Sequence, residues 1–244
     1  MSVETSVVVP TLDDALTLRA TIERLNGLVA ATGAAAEVLI VDAGSADGTL
    51  ELAAELADAL PLLHMRVLVQ DRAHSGFGSV VRLGIAYAEG RHCLIVMPDA
   101  RDPLEVIPEM LNELRGGKHL VLCSRYETAD SGETIPRRFQ AYQTVYRRAV
   151  RLLLGIDIPD STYGFRAFNR TFVLALGLSS HGFAVCPEIT FKVHLAGGQT
   201  SRVQGAPTGP MIRQAAKFRL RNELPGYGVT LVRAALHRAG MRWF

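Results

Sequence analysis

Short β-branched apolar runs alternate along the chain with longer stretches in which apolar residues return every three or four positions. Thr5-Ser6-Val7-Val8-Val9 predicts a buried strand stopped by Pro10. From Asp13 to about Ala31, Leu16, Ile22, Leu25 and Leu28 fall at helical spacing, with Asp13 or Asp14 to cap the start. Glu37 to Val41 predicts a second strand, Thr49 to Leu60 a helix and Val67 to Val69 a third strand. A helix near Ser79 to Glu89, a strand at His92–Met97, a helix at Leu104–Arg115 and a strand at His119–Cys123 follow. This alternation is the mark of an α/β fold, a mainly parallel Rossmann-like sheet with helices on both faces.

After about residue 124 the pattern changes. Residues 127–136 are rich in Ser, Thr, Gly and charge and read as a mobile loop. A long basic helix spans Arg137 to Leu154, Asp160 to Arg166 reads as strand-like, Phe183 to Ala196 as a helix and Thr200 to Val203 as a short strand. Without a repeat or a second composition regime, the economical division is one domain over 1–210 and a basic helical extension over 211–244.

Composition adjusts this picture only slightly. Apolar residues are 48% and charged residues 20% of the 244, ordinary for a globular chain. Lys plus Arg (26) against Asp plus Glu (24) leaves a charge of +2, too small to argue for nucleic acid as a partner. Three cysteines fit no metal spacing or disulfide framework; with no recognisable leader they suggest a reducing, cytoplasmic setting. No apolar run approaches the ~18–20 residues of a membrane span.

In parallel sheets ligands sit beyond the carboxyl ends of the strands. Three such ends carry polar chemistry here: Pro10-Thr11-Leu12-Asp13-Asp14, Asp42-Ala43-Gly44-Ser45 and Pro98-Asp99-Ala100-Arg101-Asp102. Asp42 can accept from a base or ribose, or it can build a tight turn. Ser75-Gly76-Phe77-Gly78, opening a helix, resembles a phosphate loop but lacks the third glycine of a dinucleotide fingerprint, because position 81 is Val. Asp99 and Asp102 suit Mg²⁺ or Mn²⁺ beside a diphosphate, though Asp102 before Pro103 also reads as a helix cap, which leaves Asp99 the better functional candidate. Arg125, Arg137, Arg138, Arg166, Arg202 and Lys217 are candidates for clamping phosphate groups, with solvated surface charge as the plain alternative for each.

Taken in order, these stretches resemble a family-2 glycosyltransferase of the GT-A fold, nearest the dolichyl- or polyprenyl-phosphate sugar synthases. The resemblance rests on Val7 to Thr11, Val41 to Thr49, Gly76 to Gly84 with Arg82, and Asp102-Pro103 with Ile107 to Met110. It continues through Ser124-Arg125-Tyr126, Asp160 to Arg166, and Gly182-Phe183 with Glu188, covering about residues 5–205. It implies a nucleotide-sugar donor whose base lies near Pro10, Leu12, Asp14 and Asp42, a divalent metal at an Asp-Xaa-Asp motif, and an acceptor phosphate met by Ser124, Arg125 and Arg137 or Arg138.

The departures gather on the donor side. The second Asp of Asp-Asp-Gly-Ser is Ala43, the aromatic after Pro-Thr is Leu12, Asp-Xaa-Asp reads Met97-Pro98-Asp99, and a late Gly-x-Ser-Lys survives only as Gln214 to Lys217. Asp99 alone, with waters and diphosphate oxygens, can hold Mg²⁺ or Mn²⁺; alternatively Lys217, Arg213 and Arg202 neutralise the leaving diphosphate without metal. The expected activity is sugar transfer, inverting and with weakened or no metal dependence, to a polyprenyl phosphate or a small molecule. Asp99 and Asp160 are the candidate catalytic acids. The competing expectation is a degenerate homologue that binds a ligand or partner without turnover. The last helix, around Leu231 to Arg238, fits either peripheral contact with a membrane or packing on the domain or on a second copy in a homodimer.

Overall fold

A computed structural model describes residues 3–32, 35–74, 76–125, 137–205, 207, 220–241 and 244. The strands are β1 (Thr5–Thr11), β2 (Ala36–Asp42), β3 (Met65–Val69), β4 (His92–Ile95), β5 (Leu120–Ser124), β6 (Arg166–Asn169) and β7 (Thr200–Gln204). The helices are α1 (Ala15–Thr32), α2 (Thr49–Ala59), α3 (Phe77–Tyr87), α4 (Ile107–Arg115), α5 (Arg137–Leu154), α6 (Arg170–Ala175), α7 (Val185–Leu195) and α8 (Leu220–Arg238). All seven strands form one sheet in the order β3-β2-β1-β4-β6-β5-β7. Its neighbours run parallel except β6, which is antiparallel to both β4 and β5. The mainly parallel α/β architecture is therefore as the sequence leads one to expect, with one inserted antiparallel strand whose position the sequence pattern places too early. Four residues leave no room for an alternation pattern, and the expected strand at Asp160–Arg166 begins only at Arg166.

The central strands are buried on both faces, so they read as unbroken apolar runs. One face packs on α1, α2 and α4 through Val7, Val9, Leu18, Ile22, Ile40, Met110 and Leu114. The other packs on α3 and α7 through Val8, Leu39, Val41, Val81, Ile85, Ile189 and Val193. The α8 helix, with Pro225 inside it, lies on α5 and α7 over Tyr146, Val150, Phe191, Tyr227 and Leu231. Cys93, Cys123 and Cys186 are buried free thiols, and burial pushes Cys93 and Cys123 up to about 12, which leaves them chemically quiet.

Pro10 does not stop β1, which continues through it to Thr11. The reason is its side of the ladder. Val8 accepts from the Val96 N–H on the β4 side, and Pro10, two residues on, faces the same way beyond the last β1–β4 pair, Val8–Ile95. The missing N–H thus falls where no strand needs it.

Candidate functional site

The donor-side turns are built around carboxylates directed at the backbone. Asp42, fully buried at the end of β2, accepts from Gly44 N (2.9 Å) and Ser45 N (2.7 Å) on Oδ1, and from Thr11 Oγ1 (2.9 Å) and Ser45 Oγ (2.5 Å) on Oδ2. A carboxylate offers about four lone-pair sites, and all four are taken. Asp14, also buried, accepts from Leu12 N at 2.9 Å, while its own N–H donates to Thr49 Oγ1. Asp14 precedes α1, its carbonyl accepting from Leu18 N at 3.0 Å, and the neighbouring turn adds Asp47, whose Oδ2 receives the Ala15 N–H at 3.1 Å. Burial works against ionisation of Asp47, but the donors from Thr49 and Ala15 prevail and hold its carboxyl below the usual range. Asp13 accepts from Ala46 N (2.8 Å) and pairs with Arg72 at 2.9 Å. Pro10, Leu12, Asp14 and Asp42 thus meet at the ends of β1 and β2, Pro10 and Asp42 as buried framework and Leu12 packed on the α3-side core.

The glycine-rich segment before α3 is not an anion cradle. The N–H groups of Gly78 and Ser79 both donate to the His181 carbonyl, at 2.6 and 3.2 Å. A Cβ at Gly76 would meet that same oxygen at 2.6 Å, and one at Gly78 would meet the Gly182 oxygen at 2.7 Å. These glycines therefore serve the close approach of residues 180–182 rather than a phosphate. Glu188 fixes that segment from below by accepting from Ser179 N and Ser180 N, both at 2.8 Å. Burial raises Glu188, yet those donors outweigh it and the net direction is down.

The β4 end also departs from expectation. Asp102 does not cap a helix with its side chain. Its carboxylate is buried, accepting from Met97 N at 2.7 Å and from Tyr163 OH at 2.6 Å. Burial, and then the charge of Asp99, push it up to about 7. Asp99 is half-buried and accepts from Arg101 N at 3.2 Å. As a metal site this donor set is thin: the position before Pro98 offers a thioether and Asp102 is directed inward, so within this loop Asp99 is left at the rim to hold an ion together with waters and diphosphate oxygens. Among the described residues no three His, Cys, Asp or Glu side chains gather to hold an ion.

Arg125, expected to meet an acceptor phosphate, follows β5 and donates from Nε to Asp160 Oδ2 at 2.7 Å, its guanidinium lying 4.2 Å over the Tyr163 ring. Its side chain is 24% exposed, so the cation is held in place yet reachable. Asp160 is wholly buried and also accepts from Thr162 N, Thr162 Oγ1 and Tyr163 N at 3.1–3.2 Å. That filled, inaccessible carboxylate makes Asp160 the anchor of Arg125, correcting its expected role as an acid that meets substrate. Ser124 beside it is buried and its Oγ has no hydrogen-bond partner.

Arg166 is corrected likewise. It is fully buried and, among the described residues, donates to the carbonyls of Ser161, Tyr163 and Cys186 and to Thr190 Oγ1, so it braces the 160–166 turn instead of clamping phosphate. Burial pushes its guanidinium down. Arg202 belongs to β7, at the opposite edge of the sheet from β3, and not to the donor turns. It lines a cavity of about 380 Å³ together with Ser124, Asp160, His194 and Ser201. Lys217, Arg213 and residues 127–136 lie outside the described residues, as do the side chains of Arg137 and Arg138, although α5 itself begins at Arg137.

Sequence reasoning missed Tyr163 and Arg72, which link these parts. Tyr163 carries Arg125 on its face and Asp102 on its hydroxyl, joining Arg125 to the β4 loop. Only its place inside the Asp160–Arg166 run hinted at this.

Residues 6–177 match the family model described as glycosyl transferase family 2. The chain is 30% identical over 195 residues to polyprenol monophosphomannose synthase of Mycolicibacterium smegmatis, covering 77% of this chain and 71% of that protein. It is 27% identical over 220 residues to dolichol-phosphate mannosyltransferase of Pyrococcus furiosus, covering 89% and 59%. Against several of its curated relatives the chain spans between half and three-fifths of their length. The fold is similar to glucosyl-3-phosphoglycerate synthase from Mycobacterium tuberculosis, a structure in complex with Mn²⁺, uridine diphosphate and phosphoglyceric acid. That likeness has a TM-score of 0.66 and 19% identity over 98% of this chain and 79% of the other. A half of crevice-forming turns, a reachable arginine on a buried carboxylate and a match over most of the chain agree: this protein belongs to glycosyl transferase family 2.

Proposed function

We propose that the chain transfers a sugar from a nucleotide-diphosphate donor to a phosphate-bearing acceptor, polyprenyl phosphate ahead of a small metabolite. The observation that carries this reading is Arg125. It is a cation held by Asp160 and Tyr163, 24% exposed, and tied through Tyr163 and Asp102 to the loop where the donor diphosphate would lie. Two relatives named for polyprenol and dolichol phosphate support the lipid acceptor.

In this mechanism an acceptor phosphate oxygen attacks the anomeric carbon from the face opposite the diphosphate. The carbon–oxygen bond to the diphosphate breaks with its electron pair, and configuration inverts. A phosphate nucleophile is already ionised, so no general base is required. Positioning and charge neutralisation carry the catalysis. Arg125 and the Ser124 hydroxyl orient the acceptor phosphate, with Arg137 or Arg138 at the start of α5 as further candidates. Asp99 is the remaining acid at the rim and the residue to test for contact with the donor. Because Asp99 is the one carboxylate of the β4 loop left to meet an ion, with Asp102 turned inward, we propose weakened metal dependence.

Contact with a membrane surface follows from a lipid acceptor. The α5 helix carries Arg137, Arg138, Arg147, Arg148 and Arg151 and no acidic residue, and it leaves Val145 and Leu152 exposed. No described helix is long and apolar enough to cross a membrane. The replacements Ala43 and Met97 favour a second reading, a binding protein without turnover. Incubation with a panel of nucleotide sugars and a short-chain polyprenyl phosphate separates the two. Glycosylated lipid supports the transferase, and nucleotide binding without product supports the binder.

A further inference from the structure

A nucleobase is recognised at its hydrogen-bonding edge, and in this chain the obvious acceptors for its imino N–H are gone. Position 43 is a buried methyl, and the Asp42 carboxylate has all four lone-pair sites filled by Thr11, Gly44 and Ser45. One strand over lies a group with the opposite condition. Gln70 follows β3 and continues its ladder, donating its N–H to the Asp42 carbonyl at 2.8 Å. Side chains alternate along a strand. Leu68 belongs to the α3-side cluster with Val41 and Ala43, so Gln70, two residues on, falls on the face that carries Ala43 and Leu12. Its Oε1 is buried and has no hydrogen-bond partner. A buried carbonyl left unsatisfied is costly, and a ligand donor would relieve that cost.

The segment is also held rigidly against the base-side turn. Gly44, at φ +84°, packs so closely on Arg72 that a Cβ there would lie 2.8 Å from the Arg72 Cβ. Arg72 in turn pairs with Asp13 at 2.9 Å. The backbone that carries Gln70 is thus anchored to that turn, two residues from Arg72 and bonded to the Asp42 carbonyl.

We propose that Gln70 is the base-reading residue of this chain, taking over from the carboxylate that Ala43 lacks. The inference rests on the donor reading above. Its carboxamide oxygen accepts an imino N–H and its NH₂ donates to the adjacent carbonyl, a pairing offered by uracil at N3 and O4 and by guanine at N1 and O6. Adenine and cytosine present a ring acceptor there instead.

The test is calorimetric titration of UDP, GDP, CDP and ADP into the full chain and into Gln70→Leu and Gln70→Glu, with thermal midpoints as a control for folding. The expected result is tightest binding of UDP or GDP by the wild type. Gln70→Leu should weaken that nucleotide at least tenfold, to the level of ADP. Gln70→Glu, which keeps the acceptor but not the donor, should fall between. A folded Gln70→Leu or Gln70→Glu with wild-type affinities and ranking overturns the assignment, as does a wild-type preference for ADP or CDP. Absence of binding by any nucleoside diphosphate instead overturns the donor reading, and the assignment with it.

Discussion

The turns after β1 and β2, where we propose the donor binds, and the Arg125 cluster, where we propose the acceptor binds, use the same residue types to different ends. On the donor half, Asp14, Asp42 and Asp47 are turned into their own turns, each accepting from backbone or hydroxyl donors within residues 11–49. On the acceptor half, Asp160 is equally buried, but it spends one oxygen on a guanidinium whose side chain stays 24% exposed. A carboxylate in a family motif can therefore be framework in both places, while the group it presents differs: a shaped turn in one, a fixed cation in the other. Losses at positions 43 and 97 change what the donor half presents and leave its framework standing.

The sharpest way to break this contrast is at Asp160. Its replacement by Ala strips Arg125 of its anchor and leaves a cation in a site built for a pair, so a loss of about 3–5 kcal/mol in urea unfolding is expected. Turnover should fall at least a hundredfold even where the variant stays folded. A variant as stable and active as the wild type would remove Asp160 from the account.

Asp102 sharpens the comparison, because it lies where the halves join. Its folded carboxyl titrates at about 7 against an ordinary 3.8, so the fold favours the protonated form. The stability it contributes is complete below about pH 4 and is lost as pH rises through about 7, on the order of 4 kcal/mol at most. Asp102→Asn should flatten this slope, gaining on the wild type at pH 8 relative to pH 4. His92 acts in the other direction. Burial holds it below its usual value, so its contribution is present above pH 6.5 and fades as pH falls.

Smaller effects follow elsewhere. Gly78→Ala should cost about 1–3 kcal/mol, because its methyl would press on the 180–182 backbone. Nucleotide affinity should change little beyond that loss if no phosphate sits there. Leu152→Glu, at a position 83% exposed, should shift stability by less than about 0.5 kcal/mol while reducing sedimentation with anionic vesicles.

Much of this was legible in the sequence because it depends on periodicity. Five apolar runs separated by helical spacing placed β1 to β5 within a few residues, and the order of motifs identified the rim. What periodicity could not show was direction. Asp102-Pro103 looks like a cap by local rules, yet a hydroxyl sixty-one residues away draws the carboxylate inward. The glycines at 76 and 78 look like a phosphate loop, yet they answer to a backbone carbonyl at 181. Arg166 reads as surface charge in a polar run and is instead a fully buried brace. In each case a long-range partner overrode a local signal, and Gln70, in no motif at all, gave no signal.

The division of labour between the halves is tested most directly by titrating Arg125→Gln separately with a short-chain polyprenyl phosphate and with the preferred nucleoside diphosphate, in EDTA. The expected result is at least tenfold weaker lipid-phosphate binding with nucleotide affinity unchanged within about twofold. Equal losses of both ligands, or loss of neither, would contradict it.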